Sequence, residues 1–235
     1  MNLILLFPDD FTGESRARLT GRRWEHVRGV HRPKPGARLC VGLAGGAVGT
    51  AAVKQWDEDG VELEVRLDRP PPPPLPVILA LALPRPKVLR RVLLAAASLG
   101  VKAIHLFHCD RVEKSYWQSP LLRPEAVREA LILGLEQTRD TVLPEVRVWR
   151  RFGPFAEETL PGLGEGRLRL AAQPGAEAEC PRGVRQPVLL AVGPEGGFRH
   201  TEVAALAAAG LAAVSLGERI LRVETAVPVL LARLF

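Results

Sequence analysis

Residues 216–226 read LGERILRVETA and crowd Arg219, Arg222 and Glu224 against the apolar Ile220 and Leu221. A guanidinium can hold a developing oxyanion, and a carboxylate can accept or orient a proton. Apolar side chains in a loop need something to cover them. A flat ring such as adenine, enclosed by loop backbone, would do so and leave the charges for a second, anionic substrate. A second loop, GPEGG at 193–197, combines three glycines with Pro194 and Glu195. Glycine supplies positive φ and lets backbone approach a ligand closely, but a tight strand-to-helix turn needs the same residues. The loop alone therefore does not decide. A third loop, AAQPG at 171–175, follows another apolar strand.

Other chemistries find no support. GPEGGF lacks the spacing of a dinucleotide-binding G-x-G-x-x-G, and neither a G-x-x-x-x-G-K-[ST] loop nor a G-x-S-x-G elbow occurs. His105 and His108 lie on an expected strand without acids to complete a metal site, so no metal is expected. Cys40, Cys109 and Cys180 show neither metal spacing nor a disulfide framework; they read as inert thiols in a reducing cytoplasm. Glu62 and Glu64 read as one solvated strand face.

The elements that must position these loops divide at RPPPPPLP, residues 69–76. Five consecutive prolines form a stiff spacer, giving domains at 1–69 and 77–235 around a linker at 70–76. Before it, LILLF, ARLCVGL, AVGTAAVKQW and GVELEVRL are short alternating segments of a small β-barrel, with a short helix around RRWEHV. After it, VILALAL, AIHLFHC, EVRVW, GRLRLAA, PVLLAVG and AAVSLG alternate with helical stretches. That rhythm predicts an α/β fold with a mostly parallel sheet, whose ligands bind beyond the strands' carboxyl ends. The three loops occupy that position. The helix TEVAALAAAG is expected to be capped by Thr201 and closed by Gly210, and the last helix spans VETAVPVLLARLF.

At 235 residues and 47% hydrophobic, the chain has the composition of a globular protein, and no apolar run approaches the roughly 20 residues of a membrane span. MNLILLF reads as a first strand rather than a signal peptide. The net charge of +6 is unevenly placed. Eight bases (Arg16, Arg18, Arg22, Arg23, Arg28, Arg32, Lys34, Arg38) face one acid, Glu25, between residues 16 and 38, with Trp24, His26 and His31 among them. Clustered cations around an aromatic suit a phosphate backbone.

VGPEGGF (192–198) and LGERILRVETA together resemble the two signature segments of the ribosomal RNA small subunit methyltransferase E family. EHVRGVHRPKPGARL, ALPRPKVLRRVLLAAASLGVKAI and EQTR are similar to its other blocks, with His31 standing where the family has leucine. The resemblance implies a C-terminal trefoil-knotted SPOUT methyltransferase domain, a small N-terminal PUA-like β-barrel, and a homodimer. It implies S-adenosylmethionine as cofactor and methylation of N3 of one 16S ribosomal RNA uridine, uridine-1498, in the small ribosomal subunit. The implied cofactor-binding residues are Ala171, Gly193, Pro194, Glu195, Gly196, Gly197, Leu216, Gly217, Ile220, Leu221, Arg222 and Thr225. Arg222, then Arg139 of EQTR, are the candidates to stabilise the uracil anion, and Glu195 or Glu224 to take its proton; Glu224 reads equally as the acid of a helix N-terminus. RNA contacts fall to Arg16, Arg22, Arg23, His26, Arg28, Arg32 and Lys34. Two other readings stay open: a SPOUT methyltransferase acting on transfer RNA, and a non-enzymatic RNA-binding module.

Overall fold

A computed structural model describes residues 2–31 and 34–235; Arg32, one of the expected RNA contacts, lies outside the described residues. The chain forms two compact units, residues 1–73 with 132–143, and residues 74–131 with 144–235.

The first unit is a five-stranded sheet built from β1 (Ile4–Leu6), β2 (Arg16–Thr20), β3 (Arg38–Leu43), β4 (Val48–Trp56) and β5 (Gly60–Arg69). Its order is β1-β3-β4-β5-β2; β1 runs parallel to β3, and the other pairs are antiparallel. Alternating residues such as Leu39 and Val41, Ala51 and Val53, or Val61, Leu63 and Val65 enter one buried cluster with residues of β1 and β2. A sheet that places one face of all five strands in a single cluster must curl around it. The short helix α1 (Gly21–His26) adds Trp24, whose Nε1 donates to the Glu58 carbonyl at 3.2 Å.

Residues 132–143 return to this unit, whereas a division at 70–76 places them in the second domain. The cause is backbone pairing. The amides of Asn2 and Leu3 donate to the Glu136 carbonyl at 3.0 and 2.9 Å, and Gly45 donates to the Thr141 carbonyl at 2.8 Å. Burial pushes the Glu136 carboxyl above its ordinary value, and Arg22, 3.4 Å away, opposes the shift.

The second unit is a six-stranded parallel sheet of β6 (Val77–Ala82), β7 (Ala103–Phe107), β8 (Glu145–Trp149), β9 (Leu168–Ala172), β10 (Val188–Val192) and β11 (Ala212–Val214), in the order β11-β9-β10-β6-β7-β8. Every residue of β10 is buried, as a strand covered on both faces requires. The helices are α2 (Pro86–Ser98), α3 (Pro124–Thr138), α6 (His200–Ala208) and α7 (Val223–Leu234), with a helical stretch from α4 (Phe152–Pro154) through a π-turn to α5 (Leu160–Leu163). α6 begins earlier than its sequence suggests. Arg199 is its N-cap and donates its amide to Glu202 Oε2 at 2.8 Å, so Thr201 lies inside the helix. Cys109 and Cys180 are buried and Cys40 is half-buried; burial pushes the Cys109 thiol up to about 12. No helix among the described residues is long and apolar enough to cross a membrane.

Candidate functional site

Register brings the three loops together. Ala172 of β9 pairs with both Val192 of β10 and Val214 of β11, so three parallel strands end at one level. The chain segments leaving them enclose a cavity of about 240 Å³. Gln173 and Pro174 come from the first loop, Gly193, Pro194, Glu195 and Gly197 from the second, and Leu216, Gly217 and Arg219–Val223 from the third. Ala226 and Leu230 of α7 complete the wall.

The GPEGGF sequence now has a local physical reason. Phe198 is 4% exposed and stacks on Phe107 of β7 at 6.2 Å between centroids, which anchors the loop exit in the core. The loop folds back so closely that a Cβ on Gly193 would lie 3.3 Å from the Phe198 ring. Within it, Gly197 has φ 70 and donates its amide to the Pro194 carbonyl at 2.8 Å. Arg111 Nη1 donates to the Gly196 carbonyl. Glu202 fixes the next turn, accepting from the Asp110 amide at 2.7 Å as well as from Arg199.

Glu195 lies on the cavity rim, where its Oε1 accepts from the Arg85 amide at the start of α2, at 3.0 Å. The Arg85 side chain is itself held by Tyr116, and with the nearby Glu195 charge this raises its pKa. Arg222 is the N-cap of α7, exposed, and lines the cavity with Arg219. Ile220 is 80% exposed, an apolar side chain on a loop with nothing over it.

Nine of the residues expected to hold a cofactor line this cavity: Gly193, Pro194, Glu195, Gly197, Leu216, Gly217, Ile220, Leu221 and Arg222. Ala171 is buried in β9, one residue before the lining Ala172. Gly196 and Thr225 are neighbours of lining residues but not themselves part of the wall. Glu224 is also outside it, with its Oε1 3.4 Å from Arg91 Nη1 of α2. Arg139 directly follows α3, with φ 60, and belongs to residues 132–143 of the first unit.

Gln173 was not singled out by the sequence, although its loop was. Its Oε1 is buried with no hydrogen-bond partner among the described residues. A buried acceptor left unpaired costs roughly 1–3 kcal/mol, so it marks a place where a donor belongs. The lining fits a ligand that is partly apolar, carries a hydrogen-bond donor, and is approached by glycine backbone.

Among the expected RNA contacts, Arg16, Arg28 and Lys34 are exposed, and His26 is half-buried. Arg22 reaches Glu136, and Arg23 grips Asp10 through two hydrogen bonds of 2.5 and 2.6 Å while also donating to the Leu5 carbonyl. Arg23 thus ties α1 to β1 and to the turn that follows β1. Arg18 is held by Asp57 at 2.7 Å.

The family described as RNA methyltransferase domain matches residues 71–235. A protein of Treponema pallidum named ribosomal RNA small subunit methyltransferase E is 32% identical over 230 residues, covering 95% of this chain and 86% of its own length. The chain belongs to the ribosomal RNA small subunit methyltransferase E family. It is therefore an enzyme, an RNA methyltransferase. The relative of the same name from Synechocystis is 31% identical and covers 94% of this chain and 73% of its own length. In structure, the Neisseria gonorrhoeae methyltransferase E, solved bound to S-adenosyl methionine, superimposes with a TM-score of 0.77 at 24% identity, covering 99% of this chain and 95% of that one. The family's fold thus spans both units.

Proposed function

We propose that this methyltransferase E family member transfers a methyl group from S-adenosylmethionine to N3 of one uridine of 16S ribosomal RNA, uridine-1498 in the usual numbering, within the small subunit. The observation that carries the reading is the convergence of three glycine-bearing strand-end loops on one cavity with an orphaned acceptor and an uncovered apolar rim. On this reading the second unit is a trefoil-knotted SPOUT domain, the first a PUA-like barrel that holds RNA through Arg16, Arg28, Lys34 and their neighbours, and the enzyme works as a homodimer.

Gly193, Pro194, Gly197, Leu216, Gly217, Ile220 and Leu221 would hold S-adenosylmethionine, with Gln173 accepting from one of its donors. The bound cofactor supplies an electrophilic methyl group on a sulfonium. The chain's own residues must make uridine N3 a nucleophile, which it becomes only after losing its proton. Arg222 holds the negative charge that then develops on the uracil oxygens; a preorganised cation serves there without reorganisation. Glu195, whose Oε1 is fixed by the Arg85 amide, accepts or orients the N3 proton. Glu224, paired with Arg91, steadies the start of α7 against α2.

Replacing Gln173 by leucine removes the acceptor at nearly constant volume. S-adenosylmethionine affinity measured by calorimetry should fall about tenfold. Unchanged affinity would show that Gln173 meets no donor. The reaction itself leaves a mark on pairing, because a methyl on N3 blocks the Watson–Crick edge. Reverse transcription of 16S RNA from unmodified small subunits, after incubation with enzyme and cofactor, should stop next to one uridine. Read-through at every uridine would refute the proposed product.

A further inference from the structure

We infer that the second unit carries its own nucleotide-binding hollow, separate from the cavity at the strand ends, which grips the RNA beside the target uridine. The inference rests on the proposed RNA substrate. The hollow, about 230 Å³, is lined by Trp117, Gln118, Ser119, Leu122, Arg123, Val148 and Arg150. It lies against β8, the strand at one edge of the sheet.

Its side chains are preorganised. Trp117 Nε1 donates to His108 Nδ1 at 3.0 Å, which fixes the indole and leaves the imidazole proton on Nε2 when His108 is neutral. The Arg150 guanidinium lies over the Trp117 ring, 5.2 Å from its centroid. One guanidinium face is thereby held in place by a cation–π contact, and the other can take a base. Val148, 47% exposed, and Leu122 add apolar area for a stacked ring. The Gln118 amide can pair with a base edge. Ser119 Oγ accepts from the Leu121 amide at 3.2 Å, leaving its own proton to donate.

Charge selects the occupant. Two arginines and no acid line the hollow, and Arg151 is exposed next to it in the chain. This suits an RNA strand, with a base in the hollow and phosphate on Arg123. A surface hollow in the first unit is different: Arg38, Arg66 and Arg69 share it with Glu64 and Asp68, and Asp68 lies 3.5 Å from Arg66. The basic stretch of the first unit is also partly spent on ion pairs by Arg18, Arg22 and Arg23. A second cationic site therefore has a physical role in holding the substrate. The 114–118 turn links it to the methyl-transfer cavity, because Tyr116 holds Arg85, whose amide is bonded by Glu195.

The test uses full-length enzyme and a 16S-derived RNA fragment that contains the target uridine. An Arg123→Ala, Arg150→Ala double variant should bind this RNA at least about tenfold more weakly. Its log affinity should depend less steeply on log salt, by about one for each phosphate no longer neutralised by an arginine. Its S-adenosylmethionine affinity and thermal midpoint should match wild type. Ultraviolet crosslinking of the wild-type complex should place uridine adducts on the peptide holding Trp117–Arg123, an outcome independent of any variant's folding. Tight RNA binding by wild type, with the same affinity in the double variant and no adduct on that peptide, would overturn the hollow alone. A variant that changes only self-association would overturn it in favour of a contact between copies. Failure of wild type to bind the RNA would bring down the proposed substrate, and the inference with it.

Discussion

Arg222→Ala should lower turnover by on the order of 10²–10³-fold, the range seen when one preorganised oxyanion donor is removed, while S-adenosylmethionine affinity stays within about twofold. The separation follows from where the residue acts. As N-cap of α7, Arg222 serves the helix through its backbone: its carbonyl accepts from Thr225 and Ala226 at 2.9 and 2.7 Å, with no side-chain cap bond. Truncating the side chain therefore leaves the helix start and the cavity wall standing, and the thermal midpoint should not move. What disappears is a cation available to an anion formed only during reaction. Arg222→Lys should recover part of the rate, since the charge returns without the planar fork. Single-turnover kinetics with saturating cofactor would read the effect directly. A rate within about threefold of wild type, far short of the loss expected for an oxyanion donor, would remove Arg222 from the reaction.

Gly217→Ala should weaken S-adenosylmethionine binding by about tenfold or more with little loss of global stability. Gly217 has φ 106, and a Cβ built there meets nothing within 4 Å. The substitution is thus a pure backbone test, free of collision. Holding an L-residue in that region costs roughly 1–3 kcal/mol, and about 1.4 kcal/mol is a tenfold change in affinity. The loop from Leu216 to Arg222 can escape the strain by relaxing, and in doing so it withdraws Ile220 and Leu221 from the cavity rim. Core elements bear none of this cost, so calorimetry should report weaker binding while the melting curve changes little. Wild-type affinity in Gly217→Ala would mean that the loop's conformation is not what holds the cofactor.

Local pattern announced the elements that lie on one sheet face or inside one sheet. The apolar runs at 77–82 and 188–192 and the alternation in 60–69 appear as strands where their periods place them. β2 was not legible, because in RARLT only Ala17 and Leu19 are apolar and the arginines read as a charged run. The return of residues 132–143 to the first unit depends on Glu136 pairing with residues more than a hundred positions away, and nothing local signals that. At the site, the loops were readable because glycine, proline and crowded charge mark strand ends. Their meeting depends on strand order β11-β9-β10, a property of the whole sheet. Gln173 stayed hidden since a glutamine in a turn looks solvated; only burial of its Oε1 distinguishes it. Arg85 and Arg111 reach the GPEGG loop from positions about a hundred residues earlier, Tyr116 holds the Arg85 side chain, and their types alone assign them no role.

The most direct test of methyl transfer to the small subunit is to incubate purified enzyme with methyl-labelled S-adenosylmethionine and small ribosomal subunits lacking their native modifications, then digest the RNA and identify the labelled nucleoside by mass spectrometry. The expected product is N3-methyluridine from a single position of 16S RNA, formed on the order of 10²–10³-fold more slowly with Arg222→Ala. Label in another nucleoside, or transfer to transfer RNA but not to the subunit, would contradict the proposed function.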